Sequence, residues 1–205
     1  APEVEITDNM IASLIYTSGT TGDPKGVMLS HENFTSLIAA LAPVFPLKQS
    51  DRLLSVLPLH HTFEFTCGML LPYSRGARVV YLDEVAGDRV VKGLELGKVT
   101  SMVGVPAVWQ LLERRILGQI KDKGTTVDLI FNWLMNVNTA TSRSLGLDVG
   151  KLLFGPVHRG LGGHLRTLIS GGSALPKDVH KTFAGLGLHI AEGYGLTEAA
   201  PVLAV

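Results

Sequence analysis

One short segment of the chain combines the residue types that bind phosphate groups. Residues 16–26 read Tyr-Thr-Ser-Gly-Thr-Thr-Gly-Asp-Pro-Lys-Gly, which brings four Ser or Thr hydroxyls, three glycines and one lysine close together. Glycines let backbone N–H groups approach a ligand, hydroxyls rotate to donate hydrogen bonds, and Lys25 adds a mobile positive charge. This composition predicts a cradle for a polyphosphate.

The segment does not match a Walker A loop. That motif requires Ser or Thr directly after a Gly-Lys pair, whereas here Lys25 follows Pro24 and precedes Gly26. The alternative is a glycine-rich turn without a ligand. A turn needs only one or two special residues, so the hydroxyls and the lysine would then be unexplained. We therefore predict a nucleotide site outside the P-loop class.

Three later segments also carry groups that could do chemistry. They are Leu57-Pro58-Leu59-His60-His61, Ser170-Gly171-Gly172-Ser173 and Gly193-Tyr194-Gly195-Leu196-Thr197-Glu198. Glu198 offers a carboxylate of the kind that Mg²⁺ shares with phosphate and water. Taken alone, an acid at this place is better explained as complementing the dipole of a following helix.

Histidines beside apolar runs are more often structural than catalytic. We give this structural interpretation to His31, His60, His158, His164, His180 and His189. The single cysteine, Cys67, lies in an apolar run and predicts a small buried side chain rather than a nucleophile.

Composition excludes several classes of function. The formal net charge is zero and the pI is about 7.3, so the overall balance offers no electrostatic basis for binding nucleic acid. One cysteine excludes an intrachain disulfide and a cysteine-based zinc site, and it fits a reducing cytoplasm. No apolar stretch reaches the roughly 18 residues that cross a bilayer.

The elements that must position these segments alternate along the chain. The predicted strands cover residues 11–16, 27–29, 53–57, 77–82, 100–105, 165–169 and 189–194. The predicted helices cover residues 31–42, 88–96, 127–145 and 176–183. Two more are predicted without a full range: one that includes residues 69–70 and one that begins at residue 106. This alternation predicts an α/β fold with a mostly parallel sheet and flanking helices, in one contiguous piece. Ligands bind at the carboxyl ends of strands in such sheets, so we expect the candidate segments to meet there.

The glycine-rich segment resembles the signature of the AMP-forming acyl-adenylate superfamily, which includes acyl-CoA synthetases, luciferases and peptide-synthetase adenylation domains. Residues 57–61 resemble the second motif of that family, and residues 193–198 resemble the third. Residues 170–176 are similar to the loop that lies along the adenine. The helical stretch between residues 109 and 168 resembles the long-chain fatty acid CoA ligase branch.

The resemblance implies a set of nucleotide contacts. Those expected from the first segment, at the β- and γ-phosphates of ATP, are Thr17, Ser18, Gly19, Thr20, Thr21, Gly22 and Lys25. Those expected from the later segments are Gly171, Gly172, Ser173, Gly193, Tyr194, Gly195 and Thr197, with Tyr194 stacked on the adenine. In this context Glu198 is expected to bind Mg²⁺, with Thr17 as a neighbour of the metal.

The resemblance also implies a place for the acid substrate. His61 matches the family histidine near the carboxylate that is adenylated, so His61, Thr197 and Glu198 are the expected catalytic residues. Phe65 falls where long-chain synthetases carry an aromatic residue beside the acyl tunnel.

The implied reaction is attack of a fatty acid carboxylate on the α-phosphate of ATP, followed by thioester formation with coenzyme A. AMP and pyrophosphate are the expected by-products. Two alternatives stay open at this point. Another adenylating enzyme, such as an acyl-carrier-protein ligase or a luciferase-like enzyme, would share every motif. A non-catalytic nucleotide-binding module would also explain the first loop.

Further expectations concern the surroundings of the chain. Residues 1–205 are expected to be a fragment of the adenylation domain that is inactive alone, with an upstream portion and a mobile C-terminal domain missing. A truncated sheet would expose edges that favour oligomers. Residues 129–135 form an apolar helical stretch that suits either a membrane surface or, more often, a core or partner interface. We expect a cytoplasmic protein, with peripheral membrane contact as an addition that a fatty substrate suggests.

Overall fold

A computed structural model describes residues 4–17 and 23–205 of the chain. Five of the predicted phosphate contacts, Ser18, Gly19, Thr20, Thr21 and Gly22, lie outside the described residues.

The first two strands form a hairpin of their own. β1 (Ile11–Thr17) and β2 (Lys25–Ser30) are antiparallel, and Thr17 lies opposite Lys25 at the end of the ladder. We expected the strand before the glycine-rich segment to belong to the parallel sheet, and this was wrong, because β1 pairs with β2 in a separate two-stranded sheet. A connection this short can join only antiparallel strands, because parallel strands need a crossover of about a dozen residues or more.

A helix begins directly after the hairpin. The Ser30 side chain accepts a hydrogen bond from the Asn33 backbone N–H at 3.3 Å, and Asn33 Oδ1 accepts one from the Ser30 N–H at 2.9 Å. This reciprocal capping box satisfies two backbone donors at the start of α1 (His31–Val44).

Five parallel strands form the central sheet. They are β3 (Arg52–Ser55), β4 (Arg78–Tyr81), β5 (Ser101–Gly104), β6 (Thr167–Ser170) and β7 (Ile190–Glu192). Their spatial order is β4-β3-β5-β6-β7. The predicted α/β class with a mostly parallel sheet is confirmed.

Helices cover both faces of this sheet. After a π-helical segment (Glu64–Leu70) the described helices are α2 (Leu71–Ser74), α3 (Gly87–Gly97), α4 (Pro106–Asp122), α5 (Thr125–Leu145), α6 (Gly150–Leu153), α7 (Gly155–Gly160) and α8 (Lys177–Gly185).

Successive strand residues point to opposite faces, so the sheet has two apolar cores. Leu54 and Met102 pack with Trp109 of α4 and other residues in the larger core. Their neighbours Leu53 and Val103 pack in the smaller core, which α1, α2 and the π-helical segment cover. The burial of both faces explains why these strands are almost continuously apolar.

The structure differs from the predicted elements in two further places. The short helices α6 and α7 were not predicted, because four and six residues are too few to show helical periodicity. The apolar sequence of residues 201–205 predicts a further buried strand, but these residues are irregular and make one isolated bridge, between Ala204 and Tyr194. None of the helices within the described ranges combines the length and apolar character needed to cross a membrane.

Candidate active site

A cavity of about 410 Å³ opens at the carboxyl edge of the parallel sheet. Its walls come from segments that follow four neighbouring strands: residues 57–58 and 61–63 after β3, Val105 after β5, Gly172 after β6, and residues 193–197 after β7. Pro201 and Val202 complete the wall. Three of the four candidate segments therefore meet at the edge where the α/β topology predicts a ligand.

The two adjacent histidines differ in their relation to the cavity. His61 lines it, while His60 does not, although their ring centroids are only 4.4 Å apart. The His61 backbone is held on both sides, because its N–H donates to the Pro58 carbonyl at 3.0 Å and its carbonyl accepts from the Phe65 N–H at 2.9 Å. The structure thus gives His61 a position suited to contact a ligand.

The two phenylalanines of this region differ in their relation to the cavity. Phe65 does not line it, and instead packs edge-on against Phe34 with ring centroids 5.4 Å apart. Phe63 lines the cavity, and its ring takes the space beside Gly171, where a Cβ would stand 2.5 Å from Cζ. Sequence reasoning missed Phe63 because its partner Gly171 is far away along the chain. The contact of Phe65 with an acyl chain stays a prediction.

The loop after β6 is shaped by backbone hydrogen bonds. The Gly171 N–H donates to the Gly104 carbonyl at 3.0 Å, and Gly172 has a φ of +81°, a conformation that favours glycine. Leu175 N–H donates to Glu192 Oε2 at 3.0 Å, which ties the far end of the loop to β7. Gly172 lines the cavity, and Ser173 is exposed beside it without lining it. Glu192 is a positioning group that no sequence motif indicated.

The segment after β7 contributes most of the remaining wall. Tyr194 lies at the cavity with 67% of its surface exposed, and its backbone N–H donates to the Ala204 carbonyl at 2.8 Å. Gly195 touches Pro201 so closely that a Cβ would stand 1.7 Å from the Pro201 carbonyl oxygen. This backbone contact alone requires a glycine at position 195, whether or not a ligand is bound.

Neither of the predicted metal residues, Thr17 and Glu198, lines the cavity, although Glu198 directly follows Thr197, which does. Glu198 is exposed on a 3₁₀ turn (Thr197–Ala199), and no hydrogen bond or ion pair joins it to another described residue. Ala200 packs in one apolar cluster with Ile15 and Val27 of the hairpin. The turn that carries Glu198 is therefore attached to the hairpin that carries Thr17 and Lys25.

The predicted metal residues suit a cation that is bound jointly by the protein and by a phosphate ligand. Within the described ranges, no group of three or more His, Cys, Asp or Glu side chains could hold a metal by itself. Mg²⁺ is usually bound by one or two protein carboxylates together with substrate phosphates and water. An exposed carboxylate such as Glu198 fits that use, provided that a phosphate lies beside it.

Known proteins resemble this chain over most of its length. A family model described as "AMP-binding enzyme" matches residues 1–205. The chain is 34% identical over 194 residues to long-chain-fatty-acid–CoA ligase 3 of Saccharomyces cerevisiae, covering 92% of the chain and 28% of that relative. It is 33% identical over 209 residues to the long-chain-fatty-acid–CoA ligase ACSBG2 of Rattus norvegicus, covering 94% of the chain and 31% of the relative.

Solved structures show the same fold. A malonyl-CoA ligase in a ternary product complex with methylmalonyl-CoA and AMP superposes with a TM-score of 0.68 at 27% identity, over 96% of this chain and 35% of that one. Apo MatB from Rhodopseudomonas palustris gives a TM-score of 0.68 at 23% identity, over 97% of this chain and 31% of that one. The chain thus spans about a third of the length of each of these four proteins.

Proposed function

The chain belongs to the AMP-binding enzyme family, and on that premise we propose that its protein activates a long-chain fatty acid with ATP, through an acyl-adenylate, to an acyl-CoA. The relatives named as long-chain-fatty-acid–CoA ligases, at 32–34% identity, support the choice of substrate. Residues 1–205 then form part of the adenylation domain, and the complete activity belongs to the full-length protein.

The observation that carries the proposal is the shared cavity after β3, β5, β6 and β7. It brings His61, Gly172, Tyr194 and Thr197 together from segments that are distant in the sequence. In-line attack of a carboxylate on a phosphate depends mainly on positioning and on neutralising negative charge. Backbone N–H groups, hydroxyls and a lysine are the groups suited to both tasks.

We assign roles to these residues as follows. Tyr194 stacks on the adenine, and Gly171, Gly172, Ser173, Gly193 and Gly195 let the backbone lie close to the nucleotide. Thr197 contacts the phosphates, as do Thr17 and Lys25 from the hairpin and, among the residues outside the described ranges, Ser18, Gly19, Thr20, Thr21 and Gly22. His61 orients the fatty acid carboxylate.

Glu198 and Thr17 would hold Mg²⁺ at the phosphates. The metal supplies charge neutralisation on the phosphate oxygens when it is bound. Because Glu198 has no competing partner among the described residues, its carboxylate can turn toward such a cation without breaking an existing bond.

The experiment that tests the function compares the two neighbouring histidines in the full-length protein. AMP and acyl-CoA formation is measured with ATP, Mg²⁺, coenzyme A and fatty acids of increasing length. We expect His61→Ala to lower kcat/KM for the fatty acid about a hundredfold, because carboxylate orientation is lost. We expect His60→Ala, which does not face the cavity, to stay within about twofold of wild type.

The outcomes of this assay separate the alternatives. Transfer to an acyl-carrier protein in place of coenzyme A would indicate another adenylating ligase. ATP binding without release of AMP would indicate a non-catalytic nucleotide module. Acyl-CoA formation by the purified 205-residue chain would contradict the expectation that this part is inactive alone.

The metal role has its own test. Titration of the full-length protein with ATP is followed by calorimetry at several Mg²⁺ concentrations, for wild type, Glu198→Gln and Lys25→Ala. We expect Glu198→Gln to abolish the magnesium dependence, and Lys25→Ala to weaken ATP binding at every magnesium concentration. Unchanged magnesium dependence in Glu198→Gln would mean that Glu198 does not hold the metal.

We also place peripheral membrane contact and a cytoplasmic location among the proposals. An exposed apolar patch on α5, made of Leu129, Ile130 and Trp133, is the support for the former. Sedimentation of the full-length protein with zwitterionic phospholipid vesicles, compared with Trp133→Ser, tests it. Equal sedimentation of both proteins would exclude this patch as the contact.

A further inference from the structure

A buried hydrogen bond joins the segment that follows His61 to the turn that carries Glu198. The Thr66 hydroxyl donates to the Ala200 carbonyl at 3.1 Å, and both residues are almost completely buried. No other group among the described residues donates to this carbonyl. A buried carbonyl without a donor destabilises a fold, so the Thr66 hydroxyl satisfies a group that the local backbone leaves unpaired.

The Thr66 end of this bond is fixed to the segment that carries His61. The Phe65 N–H donates to the His61 carbonyl at 2.9 Å, one residue before Thr66. The Leu71 N–H in turn donates to the Thr66 carbonyl, at the end of the π-helical segment. π-Helical turns are rare and frequently lie at functional sites. Thr66 is therefore held in a fixed position relative to the backbone that brings His61 to the cavity.

The Ala200 end of the bond belongs to the turn that carries Thr197 and Glu198. The Ala200 N–H donates to the Thr197 carbonyl at 3.2 Å, and the Ala199 N–H donates to the Leu196 carbonyl at 2.9 Å. Thr197 lines the cavity. A shift of the Ala200 backbone would therefore displace Thr197 and Glu198 together.

The backbone of Ala200 has a conformation that needs support from its surroundings. Its φ of +60° and ψ of +29° lie in the left-handed region, which costs free energy for a residue with a Cβ. Such conformations persist where the surrounding structure holds them, and they cluster at ligand sites. Ala200 is held by the bond from Thr66 and by packing with Leu29 and Phe34 in the apolar cluster at the hairpin.

We propose that Thr66 is a positioning residue, whose hydroxyl fixes the turn at residues 197–199 relative to the segment that carries His61. In the proposed reaction Thr197 and Glu198 act at the phosphates while His61 orients the carboxylate, so in-line attack requires a fixed distance between the two sides. The effect of Thr66 on turnover rests on that proposed function, whereas its effect on the turn does not. Valine would fill the same space, but it could not donate to the carbonyl.

The first test observes the turn in the full-length protein. Amide hydrogen exchange is followed by mass spectrometry in a peptide that spans residues 194–203, for wild type, Thr66→Val and Thr66→Ser. We expect exchange at the turn to become about tenfold faster in Thr66→Val, because the Ala199 and Ala200 N–H groups open more often. Thr66→Ser keeps the donor and should stay within about twofold of wild type. Where Thr66→Val does not fold, Thr66→Ala takes its place with the same expectations.

Two controls identify a local effect. A peptide from α4, which packs in the larger core on the other face of the sheet, should exchange at the wild-type rate in Thr66→Val. Thr139→Val removes a hydroxyl that bonds to the Met135 carbonyl of its own helix, and it should leave exchange at the turn unchanged. Equal exchange at the turn in all variants, or an equal increase at the turn and in α4, would overturn the proposal.

The second test measures turnover. Initial rates of AMP formation are recorded at several Mg²⁺ concentrations, with saturating ATP, fatty acid and coenzyme A. We expect Thr66→Val to lower kcat between about tenfold and a hundredfold and to raise the Mg²⁺ concentration that gives half the maximal rate. Thr66→Ser should keep both near the wild-type values. Combined with Glu198→Gln, Thr66→Val should add little further loss, because both substitutions act on one interaction.

The two tests separate failure of this inference from failure of the proposed function. A wild type that does not activate fatty acids contradicts the proposed function, while hydrogen exchange still decides whether Thr66 holds the turn. Faster exchange at the turn with unchanged kcat and magnesium dependence would show a purely structural residue and overturn the inference. An equal loss of kcat in Thr66→Val and Thr66→Ser would also overturn it, because the hydroxyl would then not be the group responsible.

Discussion

At the scale of single residues, the two glycines around Tyr194 look alike in the sequence and differ in the structure. A Cβ on Gly195 would stand 1.7 Å from the Pro201 carbonyl oxygen, whereas the nearest atoms to a Cβ on Gly193 are 3.8 and 3.9 Å away. The first distance is impossible between real atoms, and the contact is with backbone that cannot move aside easily. The second is ordinary van der Waals contact.

We therefore predict opposite outcomes for one substitution at these two positions. Gly195→Ala should destabilise the protein by about 3 kcal/mol or more through overpacking, while Gly193→Ala should leave its stability nearly unchanged. Thermal unfolding of the two variants beside wild type measures the difference. Equal melting temperatures would mean that the 193–204 region repacks freely and does not fix the cavity wall.

Some residues of the cavity were predictable from the sequence, and others were not. Residue types and order were enough to select His61, Gly172, Tyr194 and Thr197, all of which line the cavity. The contact between Phe63 and Gly171 and the bond from Leu175 to Glu192 were not predictable. Each of these two contacts joins residues that are close only because of the order of the strands in the sheet. No local sequence pattern predicts that order.

At the scale of elements, the start of α1 depends on the side chain of Ser30. We predict that Ser30→Ala lowers the free energy of unfolding by about 1 kcal/mol, because the Asn33 N–H then loses its acceptor. Ser144→Ala is a matched control inside α5, where the hydroxyl only bonds back to the Ala140 carbonyl and alanine is the better helix former. Urea unfolding should show a loss for the first variant and none for the second.

Element boundaries were predictable where periodicity was long and local signals were strong. Helices α4 and α5 and the buried strands appear close to their predicted ranges. The sequence did not predict that β1 and β2 form a separate hairpin. The sequence of a strand does not indicate whether the neighbouring strand runs parallel or antiparallel to it. The π-helical segment was predicted only as a generic helix, since no sequence pattern distinguishes its wider turn from an α-helical one.

At the scale of the whole molecule, a buried carboxylate joins three strands at the edge opposite the cavity. Asp51 Oδ2 accepts from the Lys48 N–H at 2.7 Å, and Oδ1 accepts from the Thr100 hydroxyl at 3.0 Å and from Arg166. These residues precede β3, β5 and β6. Burial alone would raise the pKa of Asp51, but Arg166, the Lys48 N–H and Thr100 outweigh it and hold the pKa below its ordinary value.

This arrangement predicts how the stability of the fold depends on acid. A carboxyl whose pKa is lower in the folded state stabilises the fold above its unfolded pKa of about 3.9, and this contribution is lost as pH falls through the folded pKa. Asp148 adds to the same trend, since the Gly150 N–H, Asn138 and His189 outweigh its burial and lower its pKa. Glu64 acts in the opposite direction, because a raised pKa makes the fold less stable as pH rises from about 4.5 to 7.

We predict that the melting temperature falls steeply as pH drops from about 5 to 2 and that Asp51→Asn flattens this fall. The variant should also be less stable than wild type at pH 7, because Arg166 loses its charged partner at the buried Asp51 position. Glu64→Gln should instead raise the melting temperature between pH 6 and 8. It should leave the decrease in melting temperature at acid pH unchanged. An acid fall that is equally steep in wild type and Asp51→Asn would show that the strand junction at Asp51 does not control the stability of the sheet.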